Sequence, residues 1–175
     1  MTRKFITIPG AVLILALAAC NDQTPAAVSD HNEAMKAVVR QAEALINDRN
    51  YEALTEVIAS DYRRHSQATP GIDVASLEEF VTFLEQGAIP FPDDRAVFDT
   101  LVAEGDRVAF WGRYEGTNTG PGPFPPTGKA VSIEMAGIHR IKGGKIAETW
   151  VTWDNTVMFT QLGITMPPPA PPGSD

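Results

Sequence analysis

The chain has 175 residues, of which 22 are acidic and 14 are basic, so its formal net charge at neutral pH is −8. Such an acidic chain will not bind nucleic acid or an anionic lipid surface through its overall electrostatic field. Hydrophobic residues make up 43% of the chain, which is enough for a globular domain with its own core, and the length suits one domain. Because Cys20 is the single cysteine, an intrachain disulfide is excluded.

The N-terminus has the pattern of a bacterial signal peptide. Arg3 and Lys4 precede residues 5–19, which are almost wholly apolar and too short for the roughly 20 residues of a membrane span. Cys20 then follows Leu-Ala-Ala, the arrangement of a lipobox, in which the cysteine is lipidated and becomes the mature N-terminus. We therefore expect a lipid-anchored protein of the bacterial cell envelope that faces the periplasm or the exterior. The alternative is an ordinary secretion signal in which the cysteine is incidental.

This interpretation divides the chain into four parts. Residues 1–19 are the signal peptide, and residues 20–29, which are polar and alanine-rich, form a tether between the lipid and the fold. Residues 30–165 form the domain. Residues 166–175 are proline-rich, and because proline fixes φ and lacks a backbone donor, we expect a disordered tail there.

Helical spacing of apolar residues dominates the first half of the domain. Asp30 and Glu33 have the spacing of a capping box, and the apolar periodicity predicts a helix from there to residue 46. A shorter helix is predicted over residues 51–58. A third begins near Asp73 and ends at Gly87.

The second half of the domain changes to the two-residue period of strands. Strands are predicted over residues 96–103, 107–115, 130–141 and 146–153, and a terminal helix over 156–162. Helices followed by antiparallel strands predict an α+β domain, with the helices packed on one face of the sheet.

The turn at residues 143–144, Gly-Gly, favours a two-residue hairpin loop and so sets a register for the last two strands. In this register Ile141 lies opposite Ile146, and the next pairs along the strands are His139 with Glu148, Gly137 with Trp150, Met135 with Thr152 and Ile133 with Asp154. Opposed residues share one face of a sheet, so these residues are predicted to form a cavity wall. The other face carries Ile138, Val151, Trp153, Glu134 and Arg140 and is a candidate homodimer surface. A one-residue slip would exchange the two faces.

Several short motifs occur in an order that resembles a known family. They are Tyr62-x-x-His65, Glu104-Gly105-Asp106-Arg107-Val108, Gly116-Thr117-x-Thr119-Gly120, Pro126-Thr127-Gly128-Lys129, Gly144-Lys145-Ile146-x-Glu148-x-Trp150-x-x-x-Asp154 and Gln161-Leu162-Gly163. Together they resemble the SnoaL-like polyketide cyclase, or ester cyclase, family of the nuclear transport factor 2-like fold, over roughly residues 31–164. The resemblance implies a cone-shaped curved antiparallel sheet wrapped around helices, with a deep apolar pocket.

The resemblance also implies a catalytic group. In the cyclases an aspartate on the last long strand moves a proton next to a carbonyl without cofactor or metal, and Asp154 stands at its position. Family members with Gly-Thr-His in the loop differ from this chain, which has Asn118 there. We therefore expect Asp154 as the general acid/base, assisted by His65. We expect the pocket to include Tyr62, Asn118, Met135, His139, Glu148 and Trp150.

Each of these residues also has a structural alternative. Asp154 precedes a predicted helix, where aspartate is a favoured N-cap, and His139 with Glu148 is as compatible with a structural pair as with a site. No spacing motif supports a metal site. The functional expectation is acid/base chemistry without a cofactor (cyclisation, isomerisation or hydration of a small carbonyl compound). The alternative is a lipoprotein that binds a small apolar ligand without catalysis.

Overall fold

The computed structural model describes residues 24–165. The predicted signal peptide, the lipidation site Cys20 and the proline-rich tail lie outside the described residues. Within residues 24–165, no helix combines the length and the apolar character needed to cross a membrane.

The first helix, α1, spans Pro25–Asn47 and begins five residues earlier than the capping box at Asp30 predicted. Its N-cap is Thr24, whose hydroxyl accepts a hydrogen bond from the Ala27 amide. Pro25 has its φ already set for the first helical position, so the chain enters the helix there. Residues 25–29, assigned to the tether from the sequence, are therefore helical.

The next two helices are shorter than predicted. The second, α2, spans only Leu54–Val57, and α3 spans Leu77–Ala88. The N-cap of α3 is Ser76, whose hydroxyl accepts from the Glu79 amide at 3.1 Å, while the Glu79 carboxylate accepts from the Ala75 amide at 2.7 Å. This reciprocal capping box fixes the start of α3 four residues after Asp73.

A strand that the sequence analysis did not assign, β1, spans Ile58–His65. It pairs in parallel with the last strand of the chain, so the sheet is mixed rather than wholly antiparallel. Buried and exposed side chains alternate regularly only in the last four residues of β1. There Tyr62 and Arg64 are buried, while Arg63 and His65 are exposed. An arginine in a sequence is normally expected at the surface, so the burial of Arg64 could not be predicted and the strand pattern was not recognised.

The four strands predicted in the second half are all present. They are β2 (Arg95–Glu104), β3 (Arg107–Thr117), β4 (Ala130–Lys142) and β5 (Lys145–Trp153), followed by α4 (Asn155–Leu162). The sheet order is β1-β5-β4-β3-β2, and every neighbouring pair except β1 with β5 is antiparallel. Side chains of α1 cover the edge strand β2: Asn47 exchanges two hydrogen bonds with the backbone of Ala96.

The predicted register of the last hairpin holds only next to the turn. Lys142 pairs with Lys145 and Ile141 with Ile146, as expected for a two-residue Gly-Gly loop. A bulge then shifts the pairing by one residue, so that Arg140 rather than His139 lies opposite Glu148. An extra residue in one strand reverses the face of every residue beyond it.

The bulge exchanges most of the predicted faces of β5. Thr149 pairs with His139 and Trp153 with Met135 on the inner face, toward the helices, whereas Trp150 pairs with Ile138 on the outer face. The predicted inward position of Trp150 and outward position of Trp153 are therefore both wrong, while the inward positions of Met135 and His139 are confirmed.

The inner face of the sheet packs against the helices in two hydrophobic clusters. The larger cluster joins α1, α2, α3 and β1 to the turn end of the sheet, with Val39, Leu54 and Val108 fully buried. The smaller cluster is formed by Phe91, Val131 and Leu162 at the opposite end. The pocket described next opens at this second end, where the helices do not fill the concave face.

Candidate functional site

An apolar pocket of about 560 Å³ lies between the inner face of the sheet, the end of α3 and the helix α4. Its volume falls within the about 300–1,000 Å³ typical of small-molecule sites. Aromatic and aliphatic side chains, with a few small polar residues, form its wall: Ala68, Thr69, Pro70, Phe83, Gly87, Pro90, Phe91, Tyr114, Ile133, Trp153, Asn155, Met158 and Phe159.

Hydrogen bonds hold one side of this wall in place. The Trp153 indole N–H donates to Asn155 Oδ1 at 2.8 Å, and Asn155 Nδ2 donates to the Ala68 carbonyl at 2.7 Å. These bonds tie the end of β5 to the loop after β1. The polar atoms of Trp153 and Asn155 are thereby occupied, and their apolar surfaces are left for a ligand.

Tyr114 is the one titratable side chain that the described part of the chain contributes to this wall. Its hydroxyl lies beside Asp94, which is ion-paired with Arg49. Burial, followed by the negative charge of Asp94, raises the pKa of Tyr114 well above its usual range. The phenol is therefore a neutral hydrogen-bond donor at any physiological pH.

Asp154, the predicted acid/base, caps a helix. Its Oδ1 accepts a hydrogen bond from the Thr156 amide at 2.7 Å at the N-terminus of α4. The residue is exposed, and the pocket wall includes its neighbours Trp153 and Asn155 but not Asp154 itself. The expected position inside the cavity is wrong, and the capping alternative is confirmed. This placement removes the geometric reason for assigning Asp154 the acid/base role.

Three other predicted site residues form a cluster on the outer face. His65 Nε2 lies 2.7 Å from Glu148 Oε1, and the His65 ring stacks on Trp150 with ring centroids 5.1 Å apart. Arg140 forms an ion pair with the other oxygen of Glu148 at 2.6 Å. The hydrogen bond from His65 and the pairing with Arg140 lower the pKa of Glu148. The predicted pair of His139 with Glu148 is thus replaced by His65 with Glu148, outside the pocket.

Tyr62 and His139 lie in the interior and are linked through Thr149. His139 Nδ1 is 2.8 Å from the Thr149 hydroxyl, which also lies next to the Tyr62 hydroxyl. Burial lowers the pKa of His139 to about 4 and raises that of Tyr62 to about 12. Both are neutral core groups, and the His139 ring lies 4.9 Å from that of Phe110. Neither they nor the buried Met135 belong to the pocket wall.

Asn118 is fully buried but organises a loop rather than a pocket. Its Oδ1 accepts from the Thr127 amide at 2.8 Å, and its Nδ2 donates to the Pro90 carbonyl at 3.2 Å. Nearby, a Cβ at Gly120 would lie 1.8 Å from the Ile89 carbonyl oxygen, so the loop and the α3–β2 connection are in direct backbone contact. Asn118 therefore holds the loop between β3 and β4 against the segment that supplies Pro90 and Phe91 to the wall.

Two polar residues next to the pocket, Tyr114 and Arg64, were given no catalytic or ligand-binding role from the sequence. Tyr114 sits at an inward position of the predicted strand 107–115, and this alternation was the available signal. Arg64 lies on the unassigned strand β1. In the span 24–165, no group of three or more His, Cys, Asp or Glu side chains is arranged to hold a metal ion.

Solved structures of similar shape define the class of fold. IdmH from Streptomyces antibioticus is 28% identical, with a TM-score of 0.67 over 74% of this chain and 99% of that one. TsrD from Streptomyces laurentii is 22% identical, with a TM-score of 0.67 over 76% and 97% of the two chains. A protein of ketosteroid isomerase-like fold from Catenulispora acidiphila is 19% identical, with a TM-score of 0.62 over 73% and 93%. The domain has this α+β fold, which is the nuclear transport factor 2-like fold.

The family follows from a match along most of the domain. Residues 36–162 match the SnoaL-like polyketide cyclase family, and this chain belongs to it. No curated protein matches the chain. Family membership supports a cyclase-type function that needs no cofactor.

Proposed function

We propose that the apolar pocket is the site of a small carbonyl compound and that Tyr114 is the group that acts on its carbonyl oxygen. The observation that carries this proposal is the position of Tyr114 as the titratable side chain of an otherwise unreactive wall. A proton next to a carbonyl becomes more acidic when a donor stabilises the enolate oxygen, and solvent hydroxide would accept that proton, because no carboxylate or imidazole of residues 24–165 lines the wall. A buried, neutral phenol that lines the cavity is such a donor.

The surroundings of Tyr114 support this role. Its hydroxyl lies beside Asp94, and the charge of Asp94 is compensated by Arg49. The hydroxyl can therefore turn toward a ligand oxygen without leaving Asp94 as a buried, unpaired charge. Cyclisation by an aldol-type step and isomerisation both begin with this enolisation, in keeping with a cyclase-type function.

The chemistry is tested by exchange of the acetyl protons of 2-acetylnaphthalene in D₂O, followed by proton NMR. We expect the protein to accelerate the exchange over buffer. Tyr114→Phe, which keeps the ring and removes the hydroxyl, should lower this acceleration by about 10²-fold or more. Tyr51→Phe is the matched control, because the Tyr51 hydroxyl bonds Arg49 and Tyr51 is not part of the wall. An unchanged exchange rate in Tyr114→Phe would contradict the assignment.

The second candidate is binding without catalysis, favoured by the absence of carboxylate and imidazole groups from the wall that residues 24–165 form. Saturable binding of the naphthyl ketone with no acceleration of exchange, in the wild type and in Tyr114→Phe alike, would establish it. Both candidates require the pocket to be occupied.

Gly87 allows the pocket itself to be tested. It lies on the wall near the end of α3, and a Cβ built on it has open space within 4 Å. Gly87→Phe should fill the cavity and weaken the fluorescence-detected binding of the neutral probe N-phenyl-1-naphthylamine by at least about tenfold. Gly87→Ala is the control; it adds one methyl and stabilises the helix by up to about 1 kcal/mol. Equal probe affinity in the two variants would place the probe elsewhere.

We also propose that the domain is held at the bacterial cell envelope, periplasmic or exterior, by lipid on Cys20. The support for this is the Leu-Ala-Ala-Cys run after a basic and then apolar N-terminus. Such an anchor would leave the domain to meet small apolar molecules at the membrane surface.

A homodimer through the outer face of the sheet is a further proposal. Its support is a set of exposed apolar side chains on that face, of which Val102 is 60% exposed, Trp111 50% and Ile138 37%. The composition of this face differs from the prediction, because the bulge turns Val151 and Trp153 inward and brings Trp150 outward.

A further inference from the structure

The guanidinium of Arg64 packs against three residues of the pocket wall. Its Nη1 donates to the Thr69 hydroxyl at 2.9 Å, and its Cζ lies 4.4 Å from the ring centroid of Phe83 and 5.5 Å from that of Trp153. All three of these neighbours line the pocket. Arg64 itself does not line the pocket, so its charge lies directly behind these three wall residues.

Arg64 has no charged partner in the folded domain. The residue is only 7% exposed, yet no carboxylate of residues 24–165 forms an ion pair with it. The bond to Thr69 is its one side-chain hydrogen bond to another side chain in that span, although a guanidinium carries five N–H donors. The aromatic contacts offset part of the cost of burying the cation but do not neutralise it.

Neighbouring polar groups do not compete for these donors. The Trp153 indole and the Asn155 amide are already bonded, one to the other and to the Ala68 carbonyl. A ligand group that enters between Thr69, Phe83 and Trp153 would therefore meet the remaining donors of Arg64. Burial lowers the pKa of Arg64, but an arginine starts from so high a value that it remains a cation.

From this arrangement we propose that Arg64 binds an anionic group, a carboxylate on an otherwise apolar ring compound. The planar fork of a guanidinium matches the two oxygens of a carboxylate, and the flanking rings of Phe83 and Trp153 suit an aromatic or fused-ring body. The inference rests on the proposed pocket and specifies its ligand: an aromatic acid whose anion contacts Arg64.

The test compares 2-naphthoate with 2-naphthamide, which share one ring system and differ in charge. Both are titrated by calorimetry into the purified full chain at neutral pH. We expect the wild type to bind naphthoate at least about tenfold more tightly, because a hydrogen bond to a charged group contributes about 1.5–3 kcal/mol. Arg64→Gln should abolish this preference and leave naphthamide affinity within about twofold.

Arg63→Gln is the matched control. Arg63 is the preceding residue on β1, and its side chain is exposed on the opposite side of the strand. This variant loses the same charge from the protein as a whole but should keep the preference for naphthoate. A general electrostatic effect would reduce the preference equally in both variants and would overturn the proposal.

The other outcomes separate this inference from the proposed function. Equal wild-type affinities for the two probes would refute the role of Arg64 and leave the pocket intact. Failure of both probes to bind would refute the pocket and the inference together. If Arg64→Gln does not fold, the proposal is tested on the wild type alone. It then requires a preference for naphthoate over naphthamide and a shift of the Trp153 indole N–H resonance in NMR spectra when naphthoate binds. An unshifted resonance would overturn the proposal.

Discussion

Lowering the pH should destabilise the fold through His139. Its ring is almost completely buried, its Nε2 has no hydrogen-bond partner in the described structure, and burial lowers its pKa from 6.5 to about 4. In the unfolded chain the imidazole regains its ordinary pKa and binds a proton that the folded protein excludes. The unfolded state therefore binds more protons between pH 6.5 and pH 4, and stability falls as the pH is lowered through this window.

The size of this loss of stability follows from the difference between the pKa values of His139 in the unfolded and folded states. A difference of about 2.5 pKa units corresponds to about 3 kcal/mol in full, of which about 2 kcal/mol is lost between pH 7 and pH 5. Most carboxylates remain ionised at pH 5, so this interval reports on the histidines, and comparison with His139→Phe assigns the change to His139. The free energy of unfolding would be measured by urea denaturation at pH 7 and pH 5.

A variant that cannot titrate provides the comparison. His139→Phe keeps a ring against Phe110 and loses the bond to Thr149, so its stability at pH 7 will be lower, but its stability should change little between the two pH values. His31→Gln alters an exposed histidine and should keep the wild-type pH dependence. An equal loss of stability in the wild type and in His139→Phe between pH 7 and pH 5 would refute the reasoning.

Three further predictions concern the cap, the anchor and the outer face. In thermal melts, Asp154→Ala should cost about 1 kcal/mol of stability and Asp154→Asn almost nothing. A loss of proton-exchange activity in Asp154→Asn, at full stability, would instead support an acid/base role for Asp154. Cys20→Ser should release the protein from the membrane fraction or leave an uncleaved precursor, and mass spectrometry showing an unmodified mature Cys20 would contradict the anchor. Trp111→Glu should convert a dimer into a monomer in sedimentation experiments, and a wild-type monomer at high concentration would exclude the dimer.

Local sequence signals predicted most of the fold. Strands β2 to β5 alternate clearly and are separated by glycine-rich turns, so both their existence and their order could be predicted. Strand β1 could not, because its partner β5 lies more than 80 residues away at the pair His65 with Trp150, and a parallel pairing leaves no turn signal between the strands.

The candidate site was predicted less well than the fold, mainly because β5 contains a bulge of one extra residue. Ile146 and Glu148 alternate as an unbroken strand would, so the bulge between them leaves no trace in the sequence. It turned Glu148 and Trp150 to the outer face and brought Trp153 to the pocket. For Asp154 the sequence was compatible with both a cap and an acid/base, and only the bond to Thr156 distinguishes them.

The most direct test of the account is a crystal structure of the protein with 2-acetylnaphthalene bound. We predict that the naphthyl ring lies between Phe83, Trp153 and Met158, with its carbonyl oxygen at a hydrogen-bond distance of about 2.6–3.2 Å from the Tyr114 hydroxyl. A groove of about 610 Å³ on the outer face, beside His65 and Trp150, is the competing location. A ligand found in that groove, with the inner pocket empty, would contradict the account.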